Sequence, residues 1–158
     1  MQRNDASPDS STKFLNFSTW DNGLYETLEH IAPQNEKSVG WKGVYDDPKL
    51  KDMIGNFVLL PKGQNSALQD DGWNVKKLFL ETLLCDSKTD RKNLVSAGKA
   101  IGTNLPPSIV TNLLSGNLVK SHMLAGLDNV VDWNADYIKK RSERLVSLVW
   151  DKMILWLS

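Results

Sequence analysis

The chain has 158 residues, a length that fits one domain, or one domain with an appended helical part. Hydrophobic residues make up 41% and charged residues 24%, a composition typical of a globular protein that can bury a core. Lys and Arg number 19, and Asp and Glu also number 19, so the formal net charge is zero. This balance excludes a histone-like protein that binds nucleic acid through bulk positive charge.

Rare residue types and the hydropathy pattern exclude further classes. The chain has one cysteine, Cys85, so an intramolecular disulfide is impossible and a reducing, cytoplasmic location is expected. One cysteine and two histidines cannot build a Cys-rich structural zinc site. No apolar run approaches the ~20 residues of a membrane span, and the polar N-terminal segment does not resemble a signal peptide, so no membrane association is expected.

The first third of the chain predicts short strands separated by polar segments. Residues 1–12 are polar and predict a disordered lead-in, and residues 14–20 (FLNFSTW) predict a short strand. The β-prone run over residues 24–31 (LYETLEHI) predicts another strand, and the proline that follows predicts where this strand ends. The polar loop over residues 34–48 is long enough to suggest a function.

The middle of the chain predicts a strand and then a helix. Residues 56–60 (NFVLL) predict a short strand, and Asn65 stands where a helix N-cap is expected. Residues 73–84 (WNVKKLFLETLL) place apolar side chains at helical spacing and predict a helix. Residues 87–99 carry charges of both signs and predict a loop.

Two more helices are predicted towards the C-terminus. Pro106 and Pro107 begin a short helix that runs through Leu114, because proline is tolerated in a first helical turn. Residues 135–157 predict a long helix with an apolar stripe that widens until the helix is apolar nearly all round. A helix of that kind is buried centrally or packs on another domain.

Polar residues at the ends of the two central strands carry candidate chemistry. Glu29 and His30 are adjacent at the end of the first strand. Asn56 begins the second strand, and Asn65 follows nine positions later. An imidazole with a pKa of about 6.5 can take a proton from water at neutral pH, and carboxylate and amide oxygens suit Mg²⁺ or Mn²⁺. These residue types therefore suit metal-assisted hydrolysis of a phosphodiester.

The stretches LEHIAPQN and IGNFVLLPKGQN, followed by WNVKK, resemble the HNH, or ββα-metal, nuclease motif in its variant with Asn in place of the last His. More narrowly, they resemble the C-terminal nuclease domain of GmrSD-type modification-dependent restriction enzymes and of phosphorothioate-sensing bacterial defence nucleases. The resemblance covers most of the chain from residue 14, including a closing pattern of Trp133, Ile138, Arg141, Leu145 and Trp150.

The resemblance implies an α+β fold and a nuclease domain over residues 13–158. Its ββα-metal core would span about residues 24–84, with the helices of residues 85–158 packed around it. By the same resemblance His30 is the general base, and Asn56 holds the loop that presents His30. Glu29 and Asn65 are then the ligands of a divalent metal, Mg²⁺ in the first place and Mn²⁺ as the alternative. Most HNH motifs carry Asp where this chain has Glu29, whereas the defence subfamily carries Glu.

The implied function is metal-dependent nicking or cutting of double-stranded DNA in a bacterial restriction or anti-phage system. Related domains follow a nucleotide-hydrolysing sensor domain. Such a sensor domain or subunit is therefore the expected partner, and the chain can be the C-terminal part of a larger protein. Lys76, Lys77 and Arg141 are candidate phosphate contacts on helices that flank the core, although charges at helical spacing more often form a solvated face.

Other interpretations stay open at this point. The chain can be a catalytically inert DNA- or partner-binding module that keeps the HNH-like fold, or a secreted HNH toxin, which the neutral charge disfavours. Asn65 can be only a helix cap and Asn56 only a turn residue. His122 has no acidic or Asn partner in a matching pattern, and we interpret it as structural or exposed.

Overall fold

A computed structural model describes residues 27–35, 40–60, 70–115, 124, 126–127 and 129–157. Within these ranges the fold is α+β, with a two-stranded antiparallel sheet and four α-helices. The strands are β1 (Thr27–His30) and β2 (Phe57–Leu60), and two 3₁₀ helices, Leu50–Asp52 and Ile54–Asn56, lead into β2. The helices are α1 (Trp73–Leu84), α2 (Lys88–Ala100), α3 (Pro107–Leu114) and α4 (Ala135–Leu157). The predicted lead-in at 1–12, the predicted strand at 14–20, Asn65 and His122 lie outside the described residues.

The two central strands were predicted and are confirmed. They pair antiparallel, with Thr27 opposite Leu60 and His30 opposite Phe57. In β2 the side chains alternate, and Val58 and Leu60 are buried in the core. Two strands alone are marginally stable in water, so this small sheet depends on the helices and turns that pack on it.

The helices predicted over 73–84, 106–114 and 135–157 are confirmed, and the second of them begins at Pro107 with Pro106 as its N-cap residue. Helix α1 buries Phe79 and Leu83 in the core, and α3 buries Ile109 and Leu113. Pro107 occupies the first turn of α3, where a missing N–H leaves no helical hydrogen bond unmade.

The prediction of a loop over residues 87–99 is wrong, because these residues form α2. Ser87 caps the helix: its hydroxyl oxygen accepts a hydrogen bond from the backbone N–H of Asp90 at 3.0 Å. The buried side of α2 is narrow. Gly98 contacts Leu78 of α1, and the buried Arg91 donates to the carbonyl of Cys85 at 3.3 Å. Capping and α-helical propensity therefore form a helix here without a broad apolar stripe.

Aromatic side chains from three separate segments form the centre of the core. The ring centroids of Trp73 and Trp133 lie 5.0 Å apart, and the same distance separates Trp133 from Tyr137. The ring centroids of Trp41 and Trp73 lie 6.3 Å apart, and Trp73 Nε1 donates to the carbonyl of Val131 at 2.9 Å. These three tryptophans are buried, so they anchor the core and are not available to stack on nucleotide bases.

Helix α4 has two halves with different surroundings. Its first turns bury Ile138 and Ser142 against the turn that precedes β2. From residue 146 onwards the large apolar side chains with described burial are between 45% and 81% exposed. Central burial of the apolar end within this chain is therefore a wrong prediction. No helix among the described residues has the length and apolarity needed to cross a bilayer.

Gly55 lets α4 approach the turn before β2 closely. A Cβ atom at this position would lie 2.1 Å from the carbonyl oxygen of Ile138 and 2.4 Å from Ser142 Oγ. The backbone N–H of Gly55 also donates to Ser142 Oγ at 2.9 Å. The close approach requires a residue with no side chain, because the nearest obstruction is helix backbone.

We expect Gly55→Ala to lower the free energy of unfolding by about 3 kcal/mol or more, because α4 must move away from the turn. Urea denaturation of the 158-residue chain measures this change. The control is Gly102→Ala, where an added Cβ meets nothing within 4 Å and only a left-handed backbone (φ +85°) opposes it. The control should cost about 1–2 kcal/mol, and equal losses in the two variants would contradict the close approach at Gly55.

Candidate active site

The end of β1 directs two chemically different side chains into different surroundings. His30 lies against its cross-strand partner Phe57, with the two ring centroids 4.5 Å apart in an edge-to-face arrangement. Glu29, the preceding residue, contacts Lys76 of α1 instead. This divergence follows from strand geometry, in which successive side chains point to opposite faces.

Asp52 is the acidic partner of His30. Its Oδ1 lies 3.7 Å from His30 Nε2, and Nε2 is a buried atom with no hydrogen-bond partner at standard distance. Burial lowers the pKa of His30 below its ordinary value, and the Asp52 carboxylate opposes this by favouring the imidazolium. The imidazole is 22% exposed, so solvent and a substrate can reach it. A neutral imidazole at neutral pH is the form that a general base requires.

Glu29 is paired with a buried ammonium group. Lys76 Nζ donates to Glu29 Oε1 at 2.8 Å and to the backbone carbonyl of His30 at 2.9 Å. The side chain of Lys76 is 1% exposed and that of Glu29 is 13% exposed. Burial raises the pKa of Glu29 and lowers the pKa of Lys76, and in each case the partner's charge opposes the shift.

Asn56 joins separate segments through its side-chain amide, which is fully buried. Its Oδ1 accepts from the backbone N–H of Ala32 at 2.9 Å and from Trp133 Nε1 at 3.0 Å. Its Nδ2 donates to the carbonyls of Ala32 and Lys51 at 2.9 and 2.8 Å. Ala32 lies two residues after His30, so these bonds hold the chain that leaves the end of β1.

Arg141 of α4 is bound to the same turn. Its guanidinium donates to the carbonyls of Gly55 and Phe57 at 2.6 and 2.9 Å, and it lies 5.8 Å from the ring centroid of Trp133. The group thus satisfies two backbone acceptors on either side of Asn56. Lys77, in contrast, lies on the outer side of α1, 3.7 Å from Glu81 one turn further along the helix.

The structure therefore brings together most of the residues that the sequence singled out. Glu29, His30, Asn56, Lys76 and Arg141 surround the end of β1 and the turn before β2. Lys76 and Arg141 bind internal partners, whereas a phosphate contact requires donors that face solvent. Asn65 lies outside the described residues, and Lys77 stands apart on the surface of α1.

Among the described side chains, the carboxylate of Glu29 offers an oxygen that suits a divalent cation. A carboxylate oxygen is a ligand that Mg²⁺ prefers. The Lys76 ammonium donates a hydrogen bond to Glu29 Oε1, and no described group donates one to Glu29 Oε2. Within the described residues, no three His, Cys, Asp or Glu side chains are grouped to hold a metal. Mg²⁺ keeps several waters and takes phosphate oxygens, so Glu29 with few other protein ligands suits it.

Sequence reasoning missed Asp52 and the internal partners of Lys76 and Arg141. Asp52 lies in a 3₁₀ helix, 22 positions after His30, and no motif spacing marks it. Lys76 and Arg141 lie on helices among other charged residues, so their sequence environment is the same as that of a solvated face. Lys76 is buried and Arg141 is partly buried, which distinguishes them from a solvated face, and this burial depends on the elements that the helices pack against.

Comparison with known protein families identifies the class of the domain. It is a nuclease domain of the restriction-endonuclease class: residues 2–148 match the family model described as "GmrSD restriction endonucleases, C-terminal domain". The chain belongs to this family, and its substrate class is DNA. No curated protein sequence matches the chain.

We expect Asn56→Ala to destabilise the protein by about 3 kcal/mol or more, because the substitution leaves the buried N–H of Ala32 and the indole N–H of Trp133 without acceptors. Chemical denaturation followed by tryptophan fluorescence measures the loss. Asn112→Ala on the exposed side of α3 is the matched control and should change the stability by less than about 0.5 kcal/mol. A loss below about 1 kcal/mol for Asn56→Ala would show that the amide does not hold these segments together.

Proposed function

We propose that the chain is a metal-dependent DNA endonuclease of the HNH, or ββα-metal, type, acting in a bacterial restriction or anti-phage system. The observation that carries the proposal is that Glu29 and His30 are adjacent at the end of β1, beside the buried Asn56. The consecutive order of β1, β2 and α1 supports a ββα core. Family membership supports DNA cleavage as the reaction.

In this proposal His30 takes the proton of the attacking water. With a proton on Nε2 facing Asp52, the imidazole leaves Nδ1 as the acceptor nitrogen. The imidazolium formed by proton transfer is then stabilised by the Asp52 carboxylate 3.7 Å away. The amide of Asn56 holds residue 32 in place and so orients the peptide that follows His30.

Glu29 Oε2 and Asn65 are the proposed metal ligands, with Mg²⁺ as the expected cation and Mn²⁺ as a substitute. When bound, the cation supplies positive charge for the phosphate and for the leaving oxygen. Glu29 contributes one oxygen because Lys76 occupies the other. Asn65 adds a neutral amide oxygen, which limits the charge of the ligand set.

Of the three basic residues that the sequence suggested as phosphate contacts, we propose that only one binds DNA. Lys77 stays a proposed phosphate contact because its side chain lies at the surface of α1. For Lys76 and Arg141 we propose positioning roles, since both donate to internal acceptors. With zero net charge the chain lacks long-range attraction for a polyanion, so binding by this chain should be weak and sensitive to salt.

A nucleotide-hydrolysing sensor domain or subunit is the proposed partner, either on the N-terminal side of the nuclease domain in a longer protein or supplied in trans. The exposed apolar half of α4, from residue 146 to residue 157, supports contact with a further protein surface. An inert binding module is the second candidate. It is favoured by the Lys76 ammonium, which neutralises the carboxylate that a metal would need.

We expect His30→Ala to reduce plasmid nicking in Mg²⁺ by a factor of ~10²–10⁴, because the water loses its general base. Supercoiled-plasmid cleavage by the purified 158-residue chain measures the rate, and circular dichroism verifies that the variant is folded. His122→Ala is the matched control and should cleave at the wild-type rate. Nicking by folded His30→Ala at the wild-type rate would remove His30 from the reaction, and a wild-type chain inactive with Mg²⁺ and Mn²⁺ would favour the inert module.

We expect Asn65→Ala to weaken Mn²⁺ binding, and excess metal to restore cleavage only in part, because an oxygen ligand is lost. Asn65→Asp keeps an oxygen at the same position and adds charge, so it should retain more activity than Asn65→Ala. Calorimetric titration with Mn²⁺ compares the affinities. Wild-type Mn²⁺ affinity in Asn65→Ala would exclude this residue as a ligand.

A further inference from the structure

Lys76 lies where two catalytic features of β1 meet. Its ammonium contacts the side chain of Glu29 and the main-chain carbonyl of His30, and it lies 6.0 Å from the ring centroid of Trp41. The acidic residues whose negative charge favours the ammonium form of Lys76 are Glu29, Asp70 and Asp71. A buried ammonium is costly in free energy unless it is paired, and an apolar side chain of similar size often stabilises a fold equally well. The charge therefore needs an explanation other than fold stability.

The two hydrogen bonds of Lys76 restrict the site in two ways. The bond to Oε1 leaves Oε2 as the oxygen of Glu29 with no described hydrogen-bond donor, which favours metal binding through this one oxygen. The bond to the carbonyl of His30 holds one side of the peptide that joins His30 to Ile31. The N–H of the same peptide, on Ile31, donates to the carbonyl of Asn56 at 2.9 Å, so the peptide is held from both sides.

We propose that Lys76 is a positioning residue of the nuclease site, which sets the distance between the metal-binding oxygen of Glu29 and the imidazole of His30. This inference rests on the proposed function, because it assigns Lys76 a role in that same reaction. A cation held by Glu29 would share its carboxylate with the ammonium, which lies 2.8 Å from Oε1, and two positive charges on one carboxylate would repel each other. Lys76 thus weakens metal binding while it improves the geometry of the reaction.

The test is Lys76→Met, which keeps the aliphatic length and removes the charge. We expect Mn²⁺ to bind this variant roughly tenfold more tightly, because the repelling charge is gone and both oxygens of Glu29 become free. We expect its single-turnover rate of plasmid cleavage at saturating Mg²⁺ to fall by at least tenfold. A merely structural role would not raise metal affinity while lowering the rate at saturating metal.

Lys92→Met is the matched control, since Lys92 is an exposed lysine on α2 with no role in the proposed site. This variant should keep the wild-type Mn²⁺ affinity and cleavage rate at saturating DNA. A Lys76→Met rate at saturating Mg²⁺ equal to that of the wild type would overturn the inference. Weaker Mn²⁺ binding with a rate restored by excess metal would overturn it as well.

If Lys76→Met does not fold, a second variant, Lys76→Arg, tests the role of Lys76. Lys76→Arg retains the positive charge but moves it into a planar group. We expect Mn²⁺ affinity near that of the wild type and a slower rate at saturating Mg²⁺, and wild-type cleavage by this variant would overturn the inference. If the wild-type chain itself neither binds Mn²⁺ nor cleaves, the proposed function fails. If it does both and Lys76→Met matches it, only the role of Lys76 fails.

Discussion

The buried amide of Asn56 is the interaction on which the site and much of the fold depend. It satisfies backbone groups after β1 and in the turn before β2, and it accepts the indole N–H of Trp133 from a segment 77 positions away. An amide with two donors and one acceptor oxygen can join several segments in this way, whereas an apolar side chain at the same position would leave their polar groups unpaired. The strand end that presents Glu29 and His30 is therefore held by a polar network within the core.

Helix α4 stabilises this network from the other side. Gly55 admits the helix backbone, Ser142 accepts the N–H of Gly55, and Arg141 satisfies the carbonyls before and after Asn56. A helix distant in sequence thus completes a turn that would otherwise leave buried backbone groups unsatisfied. Strand β1 is only four residues long, so its precise placement has to come from such long-range contacts.

The numbers of positive and negative residues are equal, so charged groups act in this protein through local contacts and not through net charge. Two of its cations, Lys76 and Arg141, are directed inward to carboxylate and carbonyl oxygens at the site. Their hydrogen-bond donors are used within the protein, so these two side chains hold the site together in place of binding phosphate groups directly.

The sequence by itself determined the local features that depend on neighbouring residues. Apolar periodicity and proline positions were sufficient for β1, β2, α1, α3 and α4. The polar residues Glu29, His30 and Asn56, at the end of β1 and directly before β2, were singled out from the sequence by their family resemblance, and their roles stay a prediction. Helix α2 escaped prediction because its stability comes from the Ser87 cap and a narrow contact with Leu78, which leave little apolar period in the sequence. Only the tertiary structure decided that Asp52 faces His30, that Lys76 is buried, and that the partly buried Arg141 binds backbone carbonyls. Those contacts join residues 22 to 86 positions apart, and the same charged residue is a surface group or a buried partner according to what packs over it.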